Sequence, residues 1–384
     1  MIKSIVAISK EENSLQAGKD AAEEAVDLLG SPADLFLVFA SSFHDQEKVL
    51  QGVNRFAGKG VVVGCSSAGE IVSVEEKIYK GAVAVMAVHM EGVKVFTEKV
   101  DGVNKDSYSA GKKLAQKIAK KKPSLLMLFS DGFTENGAAL VKGVQDVCGK
   151  EFPIIGGSAG DDFNFKKTYQ YYRGKVFSGS VVGVAFQGDF SFGMSAKHGW
   201  EPVSLPMTVT KSEGPLIKEI DGKPAFSLYE EYFQQHSEEM AQGILAKTIY
   251  TYPLGMVTEK GFLLRELLMT SEKGEITLMA DIPEGSKVRL MIGNRNNIIS
   301  AAKTAAKEAV RSMQPKAVIM FNCIGRSKIL GLDREKELEA VREVVGKKTP
   351  IIGFYTYGEI GPFEKRDDHS VFHNETINLL ALGD

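Results

Sequence analysis

Three stretches of this chain end alike: an apolar run, then a hydroxyl residue, a variable residue, a glycine and a carboxylate. They read GVVVGCSSAGE, FPIIGGSAGD and TPIIGFYTYGE, closing on Ser67-Ala68-Gly69-Glu70, Ser158-Ala159-Gly160-Asp161 and Thr356-Tyr357-Gly358-Glu359. Self-similarity of this kind marks an architecture built by repeating one unit, and it restricts the fold more than any single motif. The distance from the second copy to the third is about twice that from the first to the second, so an insertion is expected before the third. The segment Pro215 to Arg295 is its place, with the helix-like AFSLYEEYFQQH and the strand-like GFLLRELLMTSEKGEITLMA.

Upstream of each copy lies a helical pattern in which lysine follows small residues: Ala17-Gly18-Lys19, Ala110-Gly111-Lys112 and Ala301-Ala302-Lys303. In the third, Ile298, Ala302, Ala305, Ala309 and Met313 recur at helical spacing. Each helix leads to a first apolar strand, ADLFLVFASS, SLLMLFSDG or KAVIMFNCIG, and continuous apolar runs of that length suit strands covered on both faces. The expected fold class is therefore α/β: mixed, partly parallel sheets flanked by helices, built from three α-β-α-β units with an insertion before the third. Two glycine-punctuated segments, GAVAVMAVHMEGVKVFTE and GSVVGVAFQGDFSFGMSA, read as hairpins.

A buried strand can end in glycine plus carboxylate because glycine permits the turn and the acid caps backbone amides. It can also do so because ligands in α/β sheets sit beyond the carboxyl ends of strands. For Glu70 and Asp161 the recurrence favours the structural role, although both, with Ser67 and Ser158, remain ligand-binding candidates. The third copy differs. Tyr355 and Tyr357 flank Thr356, and Gly358-Glu359 follow, so aromatic walls and a carboxylate converge as they do in pockets. Arg326, at the end of the preceding strand, would complete a site in which arginine and glutamate grip a carboxylate and an ammonium; the plainer alternative is an Arg326–Glu359 ion pair.

At 384 residues, 43% of them hydrophobic, the chain has material for two or three domain-sized units. A formal charge of −2 argues against nucleic acid, and the basic run KIAKKKP suits the last turn of a helix. Cys65, Cys148 and Cys323 are an odd, scattered set that fits neither a disulfide framework nor a zinc knuckle. With no secretory pattern and no membrane-length apolar run, the cytoplasm is the expected compartment.

The motifs GCSSAGEI, GGSAGDD, DGKPAFSLYEEYF, CIGR and GFYTYGEIGP, in this order, resemble those of the FIST proteins, a family of sensory domains. The resemblance implies a FIST N-like region over 1–218, with its motifs between Ser31 and Lys218, and a FIST C-like region over 219–384, with its motifs between Glu219 and Phe363. It implies a non-enzymatic protein that senses small ligands, amino acids among them, and signals through a separate output protein, since no transducer module is visible. Some members of the family bind haem and respond to nitric oxide. The sequence identifies no cofactor and leaves the oligomeric state open.

Rival chemistries have weaker support. Gly156-Gly157-Ser158-Ala159-Gly160 spells G-x-S-x-G, but a nucleophile elbow needs a helix next, and the following DDFNFKKTYQYYRGKV has no helical period. Cys65 and Cys323 sit at strand ends without a histidine placed beside them. His369 and His373, near Asp367 and Asp368, have metal-like spacing that equally fits an edge strand. His44, His89, His198 and His236 are the remaining haem-ligand candidates, none singled out, and Trp200 beside His198 reads as a packing anchor.

Overall fold

The computed structural model describes residues 1–74, 77–134, 136–234, 251–363 and 369–384. In the first unit β1 (Ile2–Ser9) precedes a helix, Ser14–Leu29, then β2 (Leu35–Ser41), a second helix, Gln46–Ala57, and β3 (Val61–Ser67). Both helices start on a side-chain cap, Asn13 and Asp45, each accepting an amide of the first turn. The strand pair β4 (Glu70–Val72) and β5 (Lys77–Tyr79) follows, then β6 (Val83–Met90). The second unit repeats the plan with β7 (Val93–Asp101), helix Ser107–Ala119, β8 (Leu125–Ser130), helix Gly137–Cys148, β9 (Ile154–Ser158), β10 (Gln170–Tyr172), β11 (Lys175–Phe177) and β12 (Ser180–Gly188).

The third unit opens with β13 (Ser191–Lys197) and is then interrupted by strands β14 to β22, from Trp200–Pro202 to Lys287–Gly293, which form a nine-stranded sheet of their own. The insertion thus begins ahead of Pro215 and ends where expected. The unit resumes with helix Arg295–Ala309, β23 (Ala317–Cys323), helices Ile324–Leu330 and Arg334–Val345, β24 (Ile351–Thr356), β25 (Glu359–Pro362), β26 (Ser370–His373) and β27 (Ile377–Gly383).

The three units build three six-stranded sheets of identical plan: β1-β6-β2-β3-β10-β11, β7-β12-β8-β9-β25-β26 and β13-β27-β23-β24-β4-β5. At the middle of each lies one parallel pair, β2–β3, β8–β9 or β23–β24. The outer strand pair of each sheet comes from another unit. The β10–β11 pair of the second unit adds to β3, β25–β26 of the third adds to β9, and β4–β5 of the first adds to β24. The exchange closes a ring, so the amino- and carboxyl-terminal thirds share a sheet.

Strand alternation sorts the core. Leu35, Leu37 and Phe39 of β2, Leu125, Met127 and Phe129 of β8, and Ile319 and Phe321 of β23 point to one shared centre, while Phe36, Val38, Leu126, Leu128, Val318 and Met320 face the helices. Phe39, Phe129, Phe321 and Phe354 meet at the centre with ring centroids 4.4 to 6.4 Å apart. Burial of each ring contributes roughly 1.5–3 kcal/mol, which is why the first strands read as unbroken apolar runs.

The two expected hairpins are corrected. Strands β6 and β7 belong to different sheets, as do β12 and β13. Their glycine turns carry the chain from one unit's sheet to the next. Among the described residues no helix is long and apolar enough to cross a membrane.

Candidate functional site

The strand-end turns interlock around the axis of the ring. Tyr355 N donates to Gly69 O at 2.9 Å, Ala68 N to Tyr355 O at 3.1 Å, Ser158 N to Gly358 O at 2.8 Å, and Gly160 N to Ser66 O at 3.1 Å. Gly69, at φ +138°, has a backbone open to glycine, and a Cβ there would come within 3.0 Å of the Tyr355 ring. The repeated small residues therefore hold unit against unit.

The carboxylates divide. Glu70 and Glu359 each begin the exchanged strand and are fully buried. Ser67 Oγ donates to Glu70 Oε1 and Ala82 N to its other oxygen at 3.2 Å. Thr356 Oγ1 donates to Glu359 Oε1, while Thr376 gives the second oxygen its amide at 3.2 Å and its hydroxyl at 2.9 Å. Burial outweighs these donors and pushes both carboxyls up to about 8, so both are mostly neutral at pH 7. Asp161 is not their counterpart. It lies in a loop, where it accepts the amides of Phe165, Lys166 and Lys167 at 2.7–3.0 Å and the hydroxyl of Tyr357 at 2.5 Å. The place of the third carboxylate is held by Gln170, the first residue of β10, whose Oε1 accepts Ser180 N at 3.1 Å. The loop inserted before β10 hid Gln170 from end-alignment of the motifs.

Four expected ligand contacts are spent inside the fold. Arg326 does not meet Glu359. It is fully buried and pairs with Glu337, Nε to Oε1 at 2.9 Å and Nη2 to Oε1 at 2.5 Å, and its remaining donors go to carbonyls of His198, Glu375 and Ile298. A guanidinium with every nitrogen engaged has no donor left for a ligand carboxylate. Tyr355 is buried against the helix Arg334–Val345, and Tyr357 stacks on Phe165 at 5.3 Å and lies edge-on to Phe133. Neither tyrosine walls an open pocket, because both rings fill joints between units. Ser158 is buried, with its Oγ 2.9 Å from Ser130 Oγ, and a loop, not a helix, follows it. The sharp strand-to-helix turn of a nucleophile elbow is missing.

The cavity that adjoins the third turn lies between the third unit and the insertion. It has a volume of about 370 Å³ and is walled by Trp200, Phe262 and Phe363, with His198, His373 and Thr376 supplying polar groups and Asn297, Ser300, Ala301 and Thr304 bringing up the first turns of the helix Arg295–Ala309. Thr376 links it to Glu359. Among the described residues the buried indole Nε1 of Trp200 has no hydrogen-bond partner. His198 Nδ1 accepts the Trp200 amide at 2.9 Å, which leaves Nε2 as a donor; His373 Nε2 faces the carbonyls of Pro362 and Gly361 at 3.0 and 3.3 Å, which leaves Nδ1 as an acceptor. Burial lowers His198 to about 4 and His373 to about 3, so both rings are neutral. The cavity thus offers aromatic walls with a few neutral donors and acceptors.

A larger groove of about 680 Å³ opens elsewhere, by the start of β3 and the β10–β11 turn, edged by Lys59, Lys117, Lys121, Arg173 and Lys175. None of the strand-end residues reaches it. As for the other histidines, His44 lies 3.1 Å from Gly81 O and His89 is 3.0 Å from Pro32 O. His236, Asp367 and Asp368 lie outside the described residues. Glu375, Glu266 and Thr376, which sequence reasoning missed, carry no motif; only their convergence in space marks them.

Comparison with known proteins gives two domain matches: the FIST N domain over residues 34–223 and the FIST C domain over residues 225–362. An uncharacterized protein of Methanocaldococcus jannaschii is 28% identical over 98% of this chain and 74% of its own length. An uncharacterized protein of Mycobacterium tuberculosis is 22% identical over 99% of each chain. Among solved structures, a cyanuric acid hydrolase from A. caulinodans aligns over the whole of both chains at 8% identity and a TM-score of 0.37, a level that carries no inference about activity.

Proposed function

The chain belongs to the FIST family, whose domains serve sensing and signal transduction, and from that premise we propose that it binds a small polar metabolite of amino-acid size in the cavity between the third unit and the insertion. The observation that carries this reading is the cavity itself: three aromatic walls with His198, His373 and Thr376 as polar groups, one residue away from the distinctive third strand-end turn through Thr376 and Glu359. Neutral His198 and His373 give it one further donor and one acceptor, a complement suited to an uncharged or zwitterionic ligand with an apolar portion.

A ligand there touches β13, the helix Arg295–Ala309 and the insertion together, so its binding favours one packing of the insertion over others. A separate output protein would read that difference. The protein acts without catalysis in this reading. Its three unpaired cysteines fit the reducing cytoplasm.

The test is a thermal-shift screen against amino acids, related metabolites and haemin. A true ligand at a hundredfold excess over Kd stabilises the native state by about 2.7 kcal/mol. Stabilisation by haemin alone, with a stoichiometric Soret band, would replace the metabolite by haem; ester hydrolysis by the purified chain would replace the sensor by an enzyme.

A further inference from the structure

Beside the cavity, and separate from it, three ligand-type side chains from three elements converge. Glu266 lies between two strands of the insertion, Cys323 ends β23, and Glu375 sits in the turn from β26 to β27; a carboxylate oxygen of each glutamate and the cysteine sulfur all lie within 4.8 Å of one another. Cys323 and Glu375 are buried and Glu266 is half-buried.

The second observation is independent of the clustering. Glu375 is fully buried, and among the described residues neither of its carboxylate oxygens has a hydrogen-bond partner. The amide nitrogen of its neighbour Asn374 is also buried and unpartnered. A buried carboxylate with nothing to accept is costly, and native structures supply such a group with a partner. Lys328 and Arg326 lie near enough for their charges to act on Glu375, but among the described residues neither donates a hydrogen bond to its carboxylate oxygens, and Arg326 reaches only its main-chain oxygen while pairing with Glu337. The site is also shaped for the carboxylate: it lies directly over Gly325, where a Cβ would come within 2.5 Å of both oxygens.

We propose that Glu266, Cys323 and Glu375 bind one divalent cation of borderline softness, of the Zn²⁺ or Co²⁺ kind. Zinc takes sulfur at about 2.3 Å and oxygen at about 2.0–2.2 Å, so donors sharing one ion lie within roughly 4.5 Å of each other, in keeping with the observed cluster. One thiolate among two carboxylates disfavours Mg²⁺ and Ca²⁺, which take oxygen alone. The ion exchanges the cysteine proton for a sulfur–metal bond and releases that proton to solvent. Since Glu266 belongs to the insertion and the other two ligands to the third unit, the ion cross-links the two bodies that flank the cavity.

The experiment titrates the chelator-treated full-length protein with Co²⁺, reading the thiolate-to-cobalt charge-transfer band, and with Zn²⁺, reading the melting temperature. One equivalent of cobalt should develop the band, and zinc should raise the melting temperature. Cys323→Ser should abolish the band, whereas Cys148→Ser should keep it. Glu266→Gln, at a half-buried position that tolerates the change, and Glu375→Gln, which keeps the shape of the side chain, should both fold and lose cation uptake. A wild-type protein that takes up no cobalt, a band that survives Cys323→Ser, or uptake unchanged in both glutamine variants overturns the proposal.

Discussion

Gln170 stands in the first sheet where Glu359 stands in the second: each begins the exchanged strand, and each accepts the amide that leads into the last strand of a unit, Ser180 N at 3.1 Å for Gln170 and Thr376 N at 3.2 Å for Glu359. The fold therefore already accommodates an amide at this place. Glu359→Gln and Glu70→Gln should fold and change stability at pH 7 by no more than about 1 kcal/mol, as urea melts would show. Leucine at either site strands a buried amide and should cost about 1–3 kcal/mol.

The same two carboxyls make stability depend on pH. With folded values near 8 against an ordinary 4.5, the folded state holds protons that the unfolded state has released, so their stabilisation is present below 4.5 and is lost as pH rises towards 8. His198 and His373 are shifted downward and lose stability only as pH falls below about 6.5. The clean window is therefore pH 6.5 to 8, where the unfolding free energy should decline with rising pH, and less steeply in the Glu70→Gln, Glu359→Gln double variant. A slope unchanged in that variant would show both groups ionised in the folded state.

Arg326 and Glu337 form a buried pair whose members have no solvent to fall back on. Removing one partner leaves an uncompensated charge, so Arg326→Leu should destabilise by about 3–5 kcal/mol in chemical denaturation. A variant of ordinary stability that has lost ligand response would instead restore Arg326 to the ligand site.

The hydroxyl of Ser158 shares a hydrogen bond with that of Ser130. Ser158→Ala should cost about 1 kcal/mol and leave ligand-dependent stabilisation intact, with no esterase activity in the wild type to lose.

Much of this architecture was legible in the sequence, because the apolar strands and their hydroxyl-glycine ends recur and each strand alternates between the central core and a helix layer. Leu37 and Phe39 could be assigned to a doubly covered strand from pattern alone. The exchange of outer strand pairs was not legible, since β4, β10 and β25 are short and pair with strands remote in sequence. For the same reason Gln170 could not be matched to Glu70 and Glu359 across an intervening loop. At the candidate site Tyr355 and Tyr357 looked like pocket walls because aromatic bulk at a strand end serves a pocket and a joint equally well. Only the partners, Gly69 for one ring and Asp161 and Phe165 for the other, decide between them. Trp200 and His198 were visible as residues, but the helix Arg295–Ala309 that completes their cavity lies beyond the whole insertion.

The most direct measurement of the ligand site pairs the wild type with Ala301→Phe, which projects a ring from the helix Arg295–Ala309 into the 370 Å³ cavity while leaving Glu359, Arg326 and the strand-end turns untouched. Ligand-induced shifts in melting temperature would be recorded for both proteins with the strongest binder from the metabolite screen. The cavity reading predicts a concentration-dependent shift in the wild type and its loss in Ala301→Phe, with the ligand-free melting temperature little changed. An equal shift in both proteins would contradict it and place the ligand elsewhere on the ring.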